Sequence, residues 1–278
     1  MRNTWAVCKR EFLSFFTTPI GYVVVGVFAL ISGLAFVLSL LTYSKMSIEP
    51  ASYGYTAVPS FGETFLSPYL VFNGILIMFL APLMTMRLLA EERHKGTIEL
   101  LLTYPLRDRE VIFGKYLAAV GMLLVMMCVI AVHLGVVSRF APLEPAMLVF
   151  GVLTVVLMGM AFLSMGLFVS AVTRSQITSG TLTFGVSLVM YVVGNIGEKL
   201  PSANPTPEAW PEIARNALGA AYALFRGLVM ELPLDKHAKD MALGIVAPKD
   251  VGYYLLFTAF FLFLTFRALE SRHWRGRS

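Results

Sequence analysis

The chain has 278 residues, of which 57% are hydrophobic and only 14% are charged, whereas about a quarter of the residues in a soluble domain are charged. This composition excludes an ordinary soluble enzyme and predicts a protein that lies mainly in lipid. The net charge of +5 arises from cations dispersed along the chain, so it does not predict a nucleic-acid-binding surface. Two cysteines, Cys8 and Cys128, provide no disulfide framework.

Residues 1–18 combine charged and aromatic side chains and predict a helix along the membrane interface. They lack the short apolar core and small-residue cleavage site of a signal peptide, so we expect the first span to stay in place. Both a plain surface helix and a moving lever fit the pattern. The apolar residues at helical spacing are Trp5, Cys8, Phe12, Phe15 and Phe16.

Six hydrophobic runs are long enough to cross a hydrocarbon core of roughly 30 Å as helices. The runs are continuously apolar instead of alternating every second residue, which favours helices over a β-barrel. The predicted fold is therefore an all-α integral membrane protein with a single transmembrane domain over residues 1–278. The predicted spans are Ile20–Tyr43, Pro68–Ala90, Ile112–Val137, Ala146–Val172, Gln176–Ile196 and Val251–Leu269.

The distribution of Lys and Arg orients the chain. Six spans place both termini on the same side of the membrane, and fourteen of the 22 Lys and Arg residues fall on that side. The other side has fewer cations although it has the longer loops. The positive-inside rule therefore predicts cytoplasmic termini.

Two strongly polar side chains, Asn73 and His133, fall inside predicted spans. Such groups face a bundle interior or a cavity and are candidate functional groups. A hydrogen bond between helices, worth about 1 kcal/mol, is the alternative, and the sequence leaves both open. The four histidines lie on different segments without ligand spacing, so no zinc site is predicted.

The polar loop 91–110 between the second and third spans is predicted to contain a short amphipathic helix. The loop has the residue order of a short helix. Residues that begin a helix come first, and a residue that suits the positive end of the helix dipole comes next. An apolar face and a residue that ends the helix follow. They are Gly96 and Thr97, then Glu99, then Leu101 and Leu102, then Pro105. A stiff element of this kind can transmit force. Just before it, Arg87 can reach lipid phosphates or pair with Glu91.

The segment 197–250 precedes the last span and begins with a proline-rich loop. An apolar stretch follows, and Arg215, Asn216 and Arg226 interrupt it. Each charge would cost a few kcal/mol at the bilayer centre, which argues against a seventh span. We expect an interfacial or re-entrant helix on the outer side, which would either guide a substrate or cap the bundle.

The loop 91–110 resembles the first cytoplasmic loop of the permease subunits of ABC-2 type ATP-binding-cassette transporters. A weaker match near the end of the chain is similar to the gliding-motility-associated and nitrous-oxide-reductase-maturation branches of that family. The first match consists of Glu91, Glu92, Gly96, Thr97, Glu99, Leu100, Leu101 and Pro105, followed by Gly114 and Lys115. The second consists of His237, Gly244, Ile245, Lys249, Asp250, Tyr253, Tyr254, Glu270, Ser271, Arg272 and Trp274.

The chain departs from the branch pattern in two places. Ala238 stands where the branch has an acidic or aromatic run after the histidine. Ala247 and Pro248 stand where an Asp-Thr pair precedes the last span. The first match is therefore specific to the family, whereas the second says little about the substrate.

The resemblance implies a type V exporter-like fold with an N-terminal interfacial helix, six spans, a cytoplasmic coupling helix and outer helices before the last span. It implies a permease subunit in a bacterial inner membrane that couples ATP hydrolysis by a separate subunit to export or mechanical work, with gliding motility as one candidate. The implied partners are a cytoplasmic ATPase dimer, a second permease copy or paralogue, and membrane lipids. The implied ATPase-coupling residues are Glu91, Glu92, Gly96, Thr97, Glu99, Leu101, Leu102 and Pro105.

ATPase chemistry is not predicted for this chain. A phosphate-binding loop needs GxxxxGK followed by Ser or Thr, but the only Gly-Lys pair is Gly114-Lys115, and Tyr116 follows it. We therefore expect no cofactor on this chain and place ATP and magnesium on the partner ATPase. An intramembrane enzyme would need converging polar groups that the spans lack, and the remaining alternative is a passive channel or scaffold without an ATPase.

Overall fold

The computed structural model describes residues 2–94, 107–141, 144–197, 199–201, 211–245 and 247–275, with backbone alone at residues 2, 93–94 and 271–275. Within these ranges the chain forms helices and no β-strand. The α-helices are α1 (Arg2–Thr17), α2 (Pro19–Ile48), α3 (Ser67–Thr85), α4 (Ala90–His94), α5 (Asp108–Val137), α6 (Pro145–Val172), α7 (Gln176–Gly197), α8 (Glu212–Glu231), α9 (Ala238–Ala242) and α10 (Pro248–Arg275). A 3₁₀ turn, Pro50–Tyr53, and a π-helical turn, Gly62–Leu66, lie between α2 and α3.

Six helical stretches of the described chain are long and apolar enough to cross a membrane, which confirms the prediction of an all-α fold with six spans. Span 1 continues to Ile48 beyond its predicted end at Tyr43, and span 2 begins at Gly62 instead of Pro68. Backbone hydrogen bonding continues these helices past the apolar residues that marked them. Spans 1 to 6 are Pro19–Ile48, Gly62–Glu92, Asp108–Val137, Pro145–Val172, Gln176–Gly197 and Pro248–Glu270.

Spans 2 and 4 form the centre of the bundle. The most apolar stretches of these spans are 67% and 50% buried, compared with 22% in spans 1 and 6. Helices α3 and α6 approach closely because Gly166 has no side chain, and a Cβ atom there would overlap the hydroxyl of Thr85. The weakly buried outer spans carry many exposed apolar side chains, which are suited to contact with lipid.

Three described helices lie outside the spans. We call the side of the membrane that holds both chain ends the terminal side, and α1 packs there along α5. On the opposite side, the short helix α9 packs against α6 and α3, and its residues Ala238 and Met241 are fully buried. Helix α8 lies on the same opposite side and contacts the end of α7.

Candidate functional site at the terminal side of the bundle

The predicted coupling residues fall partly inside the described chain. Glu91 and Glu92 lie in α4, at the end of span 2. The other six, Gly96, Thr97, Glu99, Leu101, Leu102 and Pro105, lie outside the described residues. The amphipathic coupling helix therefore stays a prediction. The site described below is the end of span 2, which precedes that segment, together with the residues that contact it.

Lys115 of span 3 lies at the centre of an ion cluster on the terminal side. Its Nζ atom is 2.8 Å from Glu92 Oε1 of span 2 and 3.1 Å from Glu11 Oε1 of α1. Only 1% of the Lys115 side chain is exposed. A second cation, Arg10, lies 2.7 Å from the same Glu11 oxygen and 3.5 Å from Glu92. The cluster of Arg10, Glu11, Glu92 and Lys115 thus joins α1 to two different spans.

Charge pairing controls the ionisation of Glu11. Burial alone would raise the pKa of Glu11, but the Lys115 ammonium and the Arg10 guanidinium outweigh it and hold that pKa below its ordinary value. Glu11 is therefore an anion at neutral pH. A buried cation without its partners would be strongly destabilising, so Lys115 constrains where both carboxylates can move.

Arg87 provides a second attachment for α1. Its guanidinium donates hydrogen bonds to Thr18 Oγ1 at 2.7 Å and Ser14 Oγ at 3.1 Å. The guanidinium carbon also lies 4.5 Å from the ring centroid of Phe15, in cation–π geometry. Sequence analysis named lipid phosphates or Glu91 as partners of Arg87, and these contacts with α1 and with the residue after it were not predicted.

Helix α1 packs closely on α5 around Gly114. A Cβ atom at Gly114 would lie 2.7 Å from Val7 Cβ and 2.9 Å from the Thr4 carbonyl oxygen, so only glycine permits this approach. Near the start of α1, Asn3 Nδ2 donates to the Glu110 carboxylate at 3.3 Å. Gly114 and Lys115 thus act together, since the glycine brings α1 close and the lysine fixes it by charge.

The arrangement can transmit a displacement. Glu92 lies at the end of span 2, just before the predicted coupling helix, and its carboxylate contacts a buried lysine of span 3. A shift of the segment after Glu92 would therefore move span 3 and, through Glu11, also α1. Sequence analysis matched Lys115 to the family motif but did not pair it with Glu11, which is 104 residues away.

The two predicted polar groups inside the spans both contact Tyr69. The Tyr69 hydroxyl is 2.6 Å from His133 Nδ1 and 3.1 Å from Ser32 Oγ, so spans 1, 2 and 3 are joined by a polar chain. Asn73 Nδ2 donates to the Tyr69 carbonyl oxygen at 2.8 Å. His133 also stacks on Phe36 with ring centroids 4.7 Å apart. The His133 contact is a hydrogen bond between helices, whereas the Asn73 bond stays within α3. A substrate contact of either residue stays a prediction.

A second buried polar pair lies on the opposite side. His237 Nδ1 is 2.7 Å from Asp250 Oδ1, and both residues are almost fully buried. His237 Nε2 is 3.0 Å from the Glu231 carbonyl oxygen, and the ring stacks on Tyr253 at 4.2 Å. The pair fixes the segment before α9 to the start of span 6. Within the described residues, no group of three His, Cys, Asp or Glu side chains could hold a metal ion.

Comparison with known proteins identifies a family for nearly the whole chain. Residues 5–272 match the family model described as ABC-2 family transporter protein. No match was found among curated proteins. The family match covers all six spans, the ion cluster and the opposite-side helices.

Proposed function

Because the chain belongs to the ABC-2 transporter family and is a permease component of the membrane part, we propose that a separate cytoplasmic ATPase drives it through residues 91–110. One observation carries the proposal: Lys115 is buried between Glu92, at the start of that segment, and Glu11 of α1. The ion cluster joins Glu92, which precedes the predicted coupling helix, to span 3 and to α1.

The proposed mechanism is a change of tilt between helices. Closure of the ATPase dimer on ATP displaces the coupling segment, Glu92 carries the displacement to Lys115, and span 3 moves together with α1. Packed helices respond to such a shift as rigid bodies. Repeated closure and opening would alternate access between the two faces of the membrane, or perform mechanical work on an attached structure.

The chain itself is proposed to bind no nucleotide. Burial of Lys115 supports this, because an ammonium that is 1% exposed and paired with two carboxylates is not available to a phosphate group. ATP and magnesium would therefore be bound by the partner subunit. Association with a second copy or a paralogue would complete the membrane part.

The proposed location is a bacterial inner membrane with the termini in the cytoplasm. The excess of Lys and Arg on the terminal side supports this orientation. For the work performed, the resemblance near His237 and Asp250 favours the gliding-motility-associated or nitrous-oxide-reductase-maturation branches. Gliding motility is therefore one proposed role.

Charge reversal in the coupling segment tests the proposal. Tagged wild-type protein purified from native membranes in mild detergent is expected to retain an ATPase subunit and to hydrolyse ATP. Glu99→Arg should reduce the amount of co-purified ATPase severalfold, because it reverses charge on the surface that would dock with it. Glu49→Arg is the matched control, since the exposed Glu49 lies on the opposite side of the membrane and should leave the complex intact.

The two possible failures are distinguishable. Retention of the ATPase at wild-type level in Glu99→Arg would contradict the assignment of the coupling segment. A wild-type preparation with no ATPase and no hydrolysis would contradict the ATP-driven function itself and favour a passive channel or scaffold.

A further inference from the structure

A small cleft opens between the terminal-side ends of spans 3 and 6, and its volume is about 290 Å³. Two guanidinium groups line it, Arg109 from span 3 and Arg267 from span 6, and both side chains are exposed. The cleft is distinct from the ion cluster, which joins α1 to spans 2 and 3. The other lining residues are Phe113, Phe263, Phe266 and Glu270.

Each arginine of the cleft lies one helical turn closer to water than a phenylalanine of the same span. Arg109 precedes Phe113 at the start of span 3, and Arg267 follows Phe263 near the end of span 6. Both pairs are four residues apart, which places them on one helix face and about 6 Å apart along the axis. Phe113 contacts Phe266 with ring centroids 5.6 Å apart. The cleft therefore has a cationic rim and an aromatic base.

The rim has positive charge available for an anion. Two arginines and one glutamate give the lining a net charge of +1. Arg267 Nη1 lies 2.9 Å from Glu270 Oε2, but both side chains are more than half exposed. An exposed pair of this kind contributes about 0–1 kcal/mol, so Arg267 can turn to a stronger acceptor at little cost. Among the residues that the structure describes, none pairs with the Arg109 side chain.

Exposed apolar side chains continue from the cleft toward the middle of the membrane. On span 6, Phe260 and Leu256 follow Phe263 at helical spacing, and all three are more than half exposed. On span 3, Leu117 lies one turn beyond Phe113 and is also exposed. The cationic rim thus stands at the head of two apolar stripes, which is the layout of a phospholipid headgroup above its acyl chains.

We propose that this cleft binds the phosphate group of an anionic phospholipid between Arg109 and Arg267, with the acyl chains along the two apolar stripes. Guanidinium groups bind phosphate oxygens bidentately, and basic pockets between membrane helices bind anionic headgroups. The net charge of the lining selects against a zwitterionic lipid, whose ammonium group would lie beside two further cations. The proposal rests on the six spans and not on the proposed ATPase coupling.

The aromatic base favours a lipid over the other occupants. A free phosphate ion would contact the rim and leave the exposed rings of Phe113 and Phe263 uncovered. A second copy of the chain would have to bring an acidic side chain to the edge of the hydrocarbon layer, where a charge is costly. Lipid phosphates already lie at this depth, and their acyl chains cover the rings.

Fluorescence quenching of the full chain in lipid vesicles tests the proposal. Phe263→Trp places a tryptophan in the cleft, and Leu182→Trp places a reference tryptophan on the exposed part of span 5 near its terminal-side start. The three native tryptophans are replaced by phenylalanine in both proteins. Quenching by phosphatidylglycerol brominated on its acyl chains is compared with quenching by brominated phosphatidylcholine at the same mole fraction. The quenching constant for phosphatidylglycerol should be severalfold higher at Phe263→Trp and equal at Leu182→Trp.

Removal of the two rim cations should abolish this preference. Arg109→Gln with Arg267→Gln, combined with Phe263→Trp, is expected to make the two quenching constants equal. Lys9→Gln with Arg174→Gln is the matched control, because it removes two exposed cations elsewhere on the terminal side. This control should keep the severalfold preference for phosphatidylglycerol.

Three outcomes would overturn the proposal. Equal quenching of Phe263→Trp by the two lipids would show that the cleft does not select an anionic headgroup. Weak quenching by both lipids would show that protein covers the cleft. Loss of the preference on addition of millimolar inorganic phosphate, but not of chloride at the same ionic strength, would show a site for free phosphate.

A second measurement avoids the tryptophan substitutions. Each protein is incubated with phosphatidylglycerol in detergent, and the lipid that stays bound is counted by native mass spectrometry. Wild type and Lys9→Gln with Arg174→Gln should retain severalfold more of this lipid than Arg109→Gln with Arg267→Gln. Equal retention in all three proteins would contradict the proposal even if the tryptophan variants failed to fold.

Discussion

Two helices outside the spans, α1 and α8, have similar lengths of 16 and 20 residues but are held in opposite ways. Helix α1 is fixed to spans 2 and 3 by the ion cluster and by the hydrogen bond of Arg87 to Ser14. Helix α8 contacts the bundle near its C-terminal end and exposes most of its apolar side chains. Helix α1 is thus held by directional contacts, whereas α8 presents a large apolar surface.

The difference shows how each side can respond to movement. A buried ion pair is stable only when both charges and their hydrogen bonds are satisfied, which restricts it to one geometry. Apolar contact is non-directional and changes little when a helix slides. The terminal side is therefore suited to transmit a displacement, whereas α8 is suited to follow one.

The largest expected effect comes from Lys115→Met, which removes the central cation and leaves the Glu11 and Glu92 carboxylates without it. Breaking a buried ion pair costs about 3–5 kcal/mol, and each 1.4 kcal/mol corresponds to roughly tenfold in an equilibrium. We therefore expect α1 to detach far more often. Cys8 reports this, because it is buried in α1 and burial raises the pKa of its thiol. Its maleimide labelling in a Cys128→Ala background should accelerate more than tenfold.

Lys9→Met is the matched control for this measurement. Lys9 lies on α1 next to the cluster but is exposed, so its loss should leave Cys8 labelling within about twofold of the parent. Unchanged labelling in Lys115→Met would mean that apolar packing alone holds α1, and the contrast between α1 and α8 would then disappear.

A smaller effect is expected on the opposite side from His237→Ala. This change leaves the buried Asp250 carboxylate without its imidazole partner, at a cost of about 1–3 kcal/mol in the free energy of unfolding. Asp250→Asn in the same chain should recover part of that loss, because a neutral amide is less costly to bury than a carboxylate. A double-mutant cycle measured by unfolding in detergent gives the coupling energy, and strictly additive losses would show that the two residues act independently.

The fold was predictable because hydropathy is a property of short stretches of sequence. Six apolar runs identified six spans, and the aromatic spacing of residues 1–18 indicated the helix α1. The ion cluster was not predicted, because Glu11 and Lys115 meet only after the bundle has formed. One signal was present: Lys115 lies inside a predicted span, three residues after its predicted start at Ile112, where a charge favours an anionic partner, and Glu11 lies on the predicted interfacial helix.

The polar groups inside the spans show again that a polar residue can be recognised from the sequence although its contacts cannot. Asn73 and His133 were recognisable from the sequence because polar side chains are rare in apolar runs. Tyr69, which contacts both, carried no such signal, since tyrosine is common near membrane interfaces. His237 and Asp250 were matched to a family branch, but their pairing depends on the fold of the segment that separates them.

The smallest expected effect is a pH dependence confined to α1. The lowered pKa of Glu11 means that the folded state favours the carboxylate, so its contribution to stability is fully present above the unfolded value of about 4.3 and is lost as the pH falls through the folded pKa. The difference in unfolding free energy between wild type and Glu11→Gln should be constant from neutral pH down to about 5 and shrink at lower pH. Unfolding in detergent over this pH range measures the difference in free energy. Glu49→Gln, which removes an exposed carboxylate, is the control. A difference that persisted undiminished below the folded pKa would show that the Glu11 side chain holds α1 by its shape and not by its charge.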